Sequence, residues 1–262
     1  KKSYLSNTAY RQLRHGAAQV PYLYGNKTFV SYDDAASLAA KAALARSQGL
    51  GGIGFWELSQ DDGGELVAAA NSAFRSTWDN PFRDVAPGAW YEEAVQHVYE
   101  AGLMRGTSAS AFSPGRTTTR GQIVTILHRL EGSPRAGRAP FTDVAADSYC
   151  AEAVAWAEQN AIVQGFGDGT FRPDRPITRQ QLAAILLRYM EHRGADTSGR
   201  ADLGRYPDSA AVAGYAQEAM AWAVSAGLIQ GRSDGTLAPA GSATRAQTAV
   251  ILHRLAGILE DL

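Results

Sequence analysis

Cysteine is nearly absent from this chain, which contains only Cys150. One cysteine cannot form an intrachain disulfide, so packing and hydrogen bonds have to hold the fold together. Cys150 occupies the position of Tyr91 and Ala216 in an internal repeat, and we interpret it as a small packed residue. Any attachment of the protein to a larger structure is therefore predicted to be noncovalent.

An excess of charge of one sign and long apolar segments are missing as well. The 25 lysine and arginine residues balance 26 aspartate and glutamate residues, which gives a formal net charge of -1. This near neutrality argues against electrostatic binding to nucleic acid. No stretch reaches the roughly 18 apolar residues that a membrane-spanning helix needs. A hydrophobic content of 45% is instead typical of a globular protein, for which we expect neither nucleic acid nor membrane insertion.

A unit of roughly fifty residues occurs three times, at 82–132, 141–193 and 206–257. Four positions have the same residue type in all three copies. They are an aspartate (Asp84, Asp143, Asp208), a glutamate (Glu93, Glu152, Glu218), a glycine (Gly106, Gly165, Gly231) and a proline (Pro114, Pro173, Pro239). Repetition of this kind predicts an architecture of three similar supersecondary units.

The pattern of each copy predicts a helix, a loop and a second helix. The first helix, at about 91–103 in the first copy, has apolar residues at helical spacing, and the equivalent helices contain Trp156 and Trp222 as predicted core residues. The loops contain turn signals. Asp168 and Asp234 each precede a glycine there, and we interpret them as turn residues because neither lies in a loop dense in calcium ligands.

The second helix of each copy begins with a capping box, in which a threonine is followed three residues later by a glutamine. These pairs are Thr119 and Gln122, Thr178 and Gln181, and Thr244 and Gln247. Their side chains are expected to satisfy two backbone donors reciprocally, so the start of the helix is well defined.

An arginine occupies the first position of each second helix, as Arg120, Arg179 and Arg245. A cation at a helix N-terminus is unfavourable by about 0.3–1 kcal/mol, so its recurrence calls for an explanation. Either the arginine points to water or pairs with a carboxylate such as Asp84, Asp143 or Asp208, or the guanidinium, the helix amides and the preceding loop form a pocket for a carboxylate or phosphate. In the second case, replacing the arginine by alanine is expected to leave folding almost unchanged.

An aromatic residue precedes each first helix, as Trp90, Tyr149 and Tyr215. Such amphipathic rings can stack on a sugar ring. They can equally pack in the core or between repeats, and both interpretations stay open.

Residues 1–78 have a different pattern. Segments 20–24 and 28–32 predict a β-hairpin around Gly25 and Asn26. Asp33 or Asp34 is expected to cap an alanine-rich helix that ends near residue 47. The apolar run 51–56 is typical of a buried parallel strand, and a helix is predicted at about 65–74. This order predicts a piece of an α/β fold with a parallel sheet.

The three copies resemble the S-layer homology (SLH) module. The resemblance extends from residue 82 to about 257 and rests on Phe-x-Asp-Val, an aromatic residue before a Glu-Ala-Val helix, Gly-x-x-x-Gly, Asp-Gly-Thr-Phe-x-Pro and Ile-Thr-Arg-Gln-Gln. It implies a mostly α fold of three helix-loop-helix modules in a pseudo-threefold prism. The resemblance also implies that the grooves bind secondary cell wall polysaccharide with a pyruvate ketal, and that the arginines meeting the acidic sugar correspond to Arg120, Arg179 and Arg245.

The first copy departs most from the SLH pattern. It lacks the Asp-Gly turn, has His97 where the other copies have tryptophan, and has Gly121 directly after its arginine. In all three copies a glutamine stands where the family usually has glutamate. We therefore expect Arg120 to contribute less to glycan binding than Arg179 and Arg245.

Within residues 1–78, a stretch from about 18 to 75 resembles the C-terminal end of family 18 glycoside hydrolases, the chitinase-like (β/α)8 barrels. The resemblance rests on Phe-Val-Ser-Tyr-Asp-Asp-Ala-Ala-Ser-Leu-Ala-Ala-Lys and on Gly-Leu-Gly-Gly-Ile-Gly-Phe-Trp-Glu-Leu-Ser-Gln-Asp-Asp. It implies that Trp56 lines the floor of the sugar site, unless this side chain only closes the barrel core. The family's catalytic acid belongs to an Asp-x-x-Asp-x-Asp-x-Glu motif that does not occur in these 262 residues, so neither Glu57 nor any other residue is predicted to be catalytic.

The two resemblances predict the C-terminal part of a longer, exported protein at the bacterial cell surface. Its SLH modules would hold a chitinase-like glycosidase noncovalently to the cell wall polysaccharide. Two alternatives stay open: a family 18 hydrolase of β-linked amino-sugar polymers whose catalytic part lies outside this chain, and repeats that bind a protein rather than a glycan. No metal and no cofactor are predicted.

Overall fold

The structure of the protein, a computed structural model, describes residues 7–16, 18–48, 50, 53–55, 61, 63–75 and 78–260. Within these ranges, eight α-helices and three short strands make a mostly α fold, as predicted. The chain divides into two compact units. The first unit comprises Lys1–Gln96 with Ser108–Phe112, and the second comprises His97–Thr107 with Ser113–Leu262.

The first unit contains a small antiparallel sheet of β1 (Arg11–Arg14), β2 (Pro21–Gly25) and β3 (Thr28–Ser31), in the order β1-β2-β3. The predicted hairpin is β2 and β3, in which Tyr24 lies opposite Phe29. Its turn residues are Asn26 and Lys27, with φ of 46° and 58°, a pair of positive angles that matches the twist of the strands. Strand β1 was not predicted.

The predicted parallel strand is wrong for residues 53–55, which are not in a strand. A parallel strand needs a neighbour that runs in the same direction, and the described residues supply none, because their sheet is antiparallel throughout. Ile53 and Phe55 instead pack, partly buried, against the helices of this unit.

Two helices follow the sheet, α1 (Ala35–Ser47) and α2 (Glu65–Arg75). Asp34 caps α1 and accepts a hydrogen bond from the Ser37 amide at 2.8 Å, which confirms one of the two predicted caps. The helices meet through small side chains, since the buried residues of their contact are Ala39, Ala42, Ala70 and Ala73.

The segment after α2 packs onto the same helices. Trp78 and Phe82 are buried, and Gly88 has φ of 73°. A Cβ atom at Gly88 would lie 2.5 Å from the Cβ of Ala39, so only glycine fits this approach. The first unit therefore includes the beginning of the first repeat.

Each repeat contains the predicted pair of helices. These are α3 (Glu92–Glu100) and α4 (Arg120–Leu130), α5 (Ala151–Gln159) and α6 (Arg179–His192), and α7 (Gln217–Ser225) and α8 (Arg245–Glu260). The third repeat adds three single turns of 3-10 helix before α7, at Leu203–Arg205, Ser209–Ala211 and Gly214–Ala216.

All three predicted capping boxes are present. The threonine hydroxyl oxygens of Thr119, Thr178 and Thr244 each accept a hydrogen bond from the glutamine amide three residues later, at 3.3 Å. In turn, Oε1 of each glutamine accepts a hydrogen bond from the amide of the threonine, at 3.0–3.3 Å. The start of each second helix is therefore fixed by its own sequence.

The repeated aspartates close the loop of their own repeat. Asp143 accepts hydrogen bonds from the amides of Phe171 and Arg172 at 2.7 Å, and Asp208 does the same for Leu237 and Ala238 at 2.8 and 2.7 Å. Asp84 accepts from the amide of Phe112 at 2.8 Å. In each repeat these bonds fix a loop residue whose side chain is fully buried, which is Phe112, Phe171 or Leu237.

The predicted core residues Trp156, Trp222 and Cys150 are buried. No helix within the described ranges combines the length and apolar character of a transmembrane span.

Candidate functional site

Each second helix begins against the loop of another repeat. The amides of Arg120 and Gly121 donate to the carbonyls of Arg175 and Pro173, at 3.0 and 2.8 Å. The equivalent bonds run from Arg179 and Gln180 to Gly241 and Pro239, and from Arg245 and Ala246 to Arg116 and Pro114. The first amides of these helices are therefore satisfied by carbonyls, and the prediction that they face an anion is wrong.

The arginine side chains enter the same neighbouring loops. Arg120 is 5% exposed, and its Nε and Nη2 donate to the carbonyls of Phe171 and Gln164 at 2.9 and 3.5 Å. Nε and Nη2 of Arg179 donate to the carbonyls of Leu237 and Gln230, both at 2.7 Å. Nη2 of Arg245 donates to the carbonyl of Arg105 at 2.5 Å.

These contacts correct two expectations. The aspartates proposed as partners bind backbone amides, and the arginines bind carbonyls of another repeat. Because the guanidinium groups are buried, an alanine substitution leaves carbonyls without donors at about 1–3 kcal/mol each. The expectation that folding stays almost unchanged without the arginine was therefore based on a wrong premise.

The neighbour of each arginine also bears on the expected order of Arg120, Arg179 and Arg245 in glycan binding, which stays a prediction. Arg120 contacts the loop of the second repeat, which has the Asp-Gly turn at Asp168 and Gly169. Arg245 contacts the first repeat, whose loop lacks that turn. One of the three reasons for placing Arg120 last, the missing Asp-Gly turn, therefore applies to the loop at Arg245 instead.

A cavity of about 480 Å³ lies beside Arg120 in the second unit. It is bounded by Arg120 of the first repeat, the loop of the second repeat, the first three turns of α6 and one side chain of the third repeat. Its lining residues are Arg120, Val163, Gln164, Gly165, Phe166, Gly167, Arg175, Gln181, Ala184, Ile185, Arg188 and Tyr215. Three of these are arginines and none is acidic, so the cavity suits an anionic ligand.

Three arginines surround the ring of Phe166, which is one of the lining residues of this cavity. The guanidinium carbons of Arg172, Arg120 and Arg175 lie 4.0, 4.9 and 5.9 Å from the ring centroid, within the range of cation–π contacts. The pKa of Arg120 is lowered to about 10, mainly by burial and further by the charges of Arg175 and Arg172, so this arginine stays protonated at neutral pH. Burial also lowers the pKa of Arg179.

The three aromatic residues before the first helices are all surface residues. Trp90, Tyr149 and Tyr215 are 67%, 59% and 58% exposed, so none of them is a core residue. Tyr215 lines the cavity together with Arg120, whereas the other two are not among its lining residues. The hydroxyl of Tyr149 lies 3.4 Å from Oγ1 of Thr119. Trp56 and Glu57 lie outside the described residues.

Asp168 and Asp234 are turn residues, as predicted. Each accepts hydrogen bonds from the amide and the hydroxyl of the threonine two residues later, at 2.5–3.1 Å. The bonds from Thr170 and then the ion pair with Arg172 lower the pKa of Asp168 to about 2.

Three residues of the cavity, Arg175, Arg188 and Phe166, were not predicted from the sequence. For Arg188 a signal existed, because the same position is Arg129 in the first repeat and Arg254 in the third. Arg175 and Phe166 could not be found this way, since the other repeats do not both carry these residue types at the equivalent positions.

Comparison with known protein families matches residues 81–124, 140–183 and 205–249 to the S-layer homology domain. Each match begins within one residue of a predicted repeat. Residues 2–61 match glycosyl hydrolases family 18. The matches confirm both resemblances.

Among curated proteins, the chain is similar to an endoglucanase of Bacillus sp. (strain KSM-635), with 31% identity over 190 residues, which are 72% of this chain and 20% of that protein. It is 30% identical to a surface-layer 125 kDa protein of Lysinibacillus sphaericus over 178 residues, 67% of this chain and 14% of that protein. Chitinase A1 of Niallia circulans is 49% identical over 61 residues, 22% of this chain and 9% of that protein. The chain thus spans a fifth or less of the length of these relatives.

Proposed function

The chain belongs to the S-layer homology domain family, and from this premise we propose how it attaches to the cell surface. Its repeats anchor it noncovalently by binding a secondary cell wall polysaccharide that carries a pyruvate ketal. The family and the similarity to a surface-layer protein support the association with the cell surface.

The three repeats form a closed pseudo-threefold ring in this proposal. The hydrogen bonds of the second helices support it, since they run from the first repeat to the second, from the second to the third and from the third to the first. Three isolated β-bridges repeat this order, Thr119 with Pro176, Thr178 with Ser242, and Thr244 with Thr117. A closed ring leaves no repeat with an uncovered end face.

The cavity beside Arg120 is the observation that carries the glycan proposal. Two nitrogens of this guanidinium donate to carbonyls, and Nη1 has no protein acceptor among the described residues. Within the same residues, no buried side-chain nitrogen lacks a partner, so Nη1 is accessible to solvent. A ketal carboxylate can accept a charge-assisted bond from it, while the exposed ring of Tyr215 can stack on a sugar.

The segment before the repeats suggests what is anchored. Its match to family 18 supports a glycosidase of the chitinase type as the cargo of the SLH repeats. The acid motif of that family is not among these 262 residues, so we assign any hydrolysis of β-linked amino-sugar polymers to a longer protein that contains this chain.

Binding to isolated walls tests the anchoring. We expect the 262-residue chain to sediment with purified bacterial wall sacculi and to stay in the supernatant when the acidic polymer has been stripped chemically. Tyr215→Ala should weaken sedimentation about twofold to tenfold, because an aromatic stacking contact contributes about 0.5–1.5 kcal/mol. Tyr24→Ala serves as the control, since this tyrosine is similarly exposed, at 52%, but lies in β2.

Equal sedimentation with intact and stripped walls would contradict the polysaccharide and favour a protein partner or the peptidoglycan itself. An unchanged affinity of Tyr215→Ala for intact walls would remove the cavity from the proposal.

A further inference from the structure

The cavity beside Arg120 contains two arginines that binding of a single acidic sugar does not use. Arg175 and Arg188 line it together with Arg120, at the loop of the second repeat and on α6. One ketal carboxylate carries one negative charge, which Arg120 alone can meet. The two remaining cations therefore need a reason of their own.

Arg188 differs from its counterparts in the other repeats. Arg129 donates to the carbonyl of Leu103 at 2.9 Å, and Arg254 donates to the carbonyls of Gly227 and Leu228 at 3.2 and 3.3 Å. Both arginines thus tie the second helix of their repeat to the end of the first. Arg188 makes no hydrogen bond and no ion pair with the part of the chain that the structure describes, although it is half-buried beside the cavity.

Arg175 is exposed, and its guanidinium carbon lies 5.9 Å from the centroid of the Phe166 ring. The nearby Arg172 is already paired, because Asp168 lies 2.8 Å from its Nη2. Among the described residues around this cavity, Arg175 and Arg188 are thus the two guanidinium groups whose donors no protein acceptor uses.

We propose that the cavity beside Arg120 binds two anionic groups of the wall glycan. The first binds Arg120, and the second, a carboxylate or a phosphate on a neighbouring position of the glycan, binds Arg175 and Arg188. This inference rests on the proposed function and makes it more specific, from one acidic substituent to two.

Isothermal titration calorimetry with the 262-residue chain tests the inference. The probes are three synthetic wall-type glycosides: one with the pyruvate ketal alone, one with the ketal and a phosphate monoester, and one with the ketal and a uronic acid. We expect each doubly anionic glycoside to bind about tenfold to hundredfold more tightly than the singly anionic one. The comparison of the two doubly anionic probes identifies the preferred second group.

Arg188→Ala is expected to abolish this preference, because it removes one of the two cations that would bind the second anionic group and leaves Arg120 in place. Arg138→Ala is the control with the same change in charge, because Arg138 is exposed in the linker after the first repeat. Arg175→Ala provides a second variant, should Arg188→Ala lower the thermal midpoint.

A wild-type chain that binds the three glycosides equally would overturn the inference and leave the proposed function intact. A preference that survives in both Arg188→Ala and Arg175→Ala would overturn it too. Failure of all three glycosides to bind would overturn the proposed function, and this inference with it.

Discussion

The arginine that begins each second helix holds the neighbouring repeat. Nε and Nη2 of Arg120 and Arg179 donate to carbonyls of the next repeat. If Arg120 also binds the glycan, as we propose, its substitution would change folding and binding together. Tyr215 and Arg188 are better probes of binding, because one is exposed and the other makes no described protein hydrogen bond.

A second residue-scale constraint is the glycine that follows each first helix, which is Gly106, Gly165 and Gly231. A Cβ atom at Gly165 would lie 2.3 Å from Cε1 of Phe141 and 2.8 Å from the carbonyl oxygen of Thr170. Gly231 is in the same situation, with Cε1 of Tyr206 at 2.8 Å. The aromatic residue that opens each of these repeats thus packs directly on the glycine, which explains why the two recur together.

We expect Gly165→Ala to lower the free energy of unfolding by about 1–3 kcal/mol, because the phenyl ring or the loop has to shift to make room. Gly167→Ala is the matched control. It is two residues away, has no atom within 4 Å of the added Cβ, and should change stability by less than about 0.5 kcal/mol. Thermal unfolding followed by circular dichroism compares the two, and equal midpoints would contradict the packing described here.

At the scale of the elements, the starts of the helices were predictable and their surroundings were not. The capping boxes at Thr119, Thr178 and Thr244 are local, since both partners lie within three residues. The acceptors of Arg120 lie 44 and 51 residues away, in another repeat, and nothing in the local sequence points to them. Strand β1 was missed for a related reason, because it is defined by its pairing with β2.

The helices α3 and α8 meet at a pair of histidines. The rings of His97 and His253 are stacked with centroids 4.7 Å apart. At the equivalent contact between α4 and α5, His128 packs on Trp156 at 5.4 Å. The contact between the third and first repeats therefore contains two histidine rings, whereas the contact between the first and second repeats contains one at the equivalent positions.

This histidine pair predicts a loss of stability in mild acid. Burial lowers the pKa of His97, the charge of His253 lowers it further, and Glu260 and Glu100 oppose this shift. An unfolded histidine has a pKa of about 6.5, so below that pH the unfolded chain binds the proton more readily than the folded one. The stabilisation is complete above about pH 6.5 and is lost as the pH falls towards the lowered value.

We therefore expect the thermal midpoint to fall between pH 7.5 and pH 5, and to fall less in His97→Trp, which introduces the residue of the other two repeats. The single variant His253→Leu introduces the residue of the second repeat, Leu187, and should also reduce the fall, because it removes the neighbouring charge that lowers the pKa of His97. Parallel profiles in all three proteins would show that the pair does not cause the acid sensitivity.

At the scale of the whole molecule, the sequence predicted the number of repeats but not which repeat contacts which. Periodicity identifies three similar helix pairs. It does not distinguish the residues that contact another repeat from those that contact their own. Asp143 and Arg120 both contact the loop residue Phe171, the aspartate from within the repeat and the arginine from outside it. The parallel strand at 51–56 was predicted from apolar composition alone, and for residues 53–55 the composition serves packing on α1 and α2 instead.

If the three repeats close a ring, removing one of them should destabilise the other two. A chain that ends at residue 204 loses the acceptors of Arg179 and Gln180, which are the carbonyls of Gln230, Leu237, Pro239 and Gly241. Four hydrogen bonds at about 0.5–1.5 kcal/mol each, together with the apolar contact of α6 with α7, are comparable to a typical total stability of about 5–15 kcal/mol. We therefore expect this truncated chain to lose its cooperative transition in differential scanning calorimetry.

Deletion of residues 1–78 is the comparison. It removes more of the chain but leaves α4 to α8 and every bond between the repeats in place, so a cooperative transition should remain. A ring would be contradicted by the opposite pair of results, in which the chain without the third repeat still unfolds cooperatively near the midpoint of the full chain.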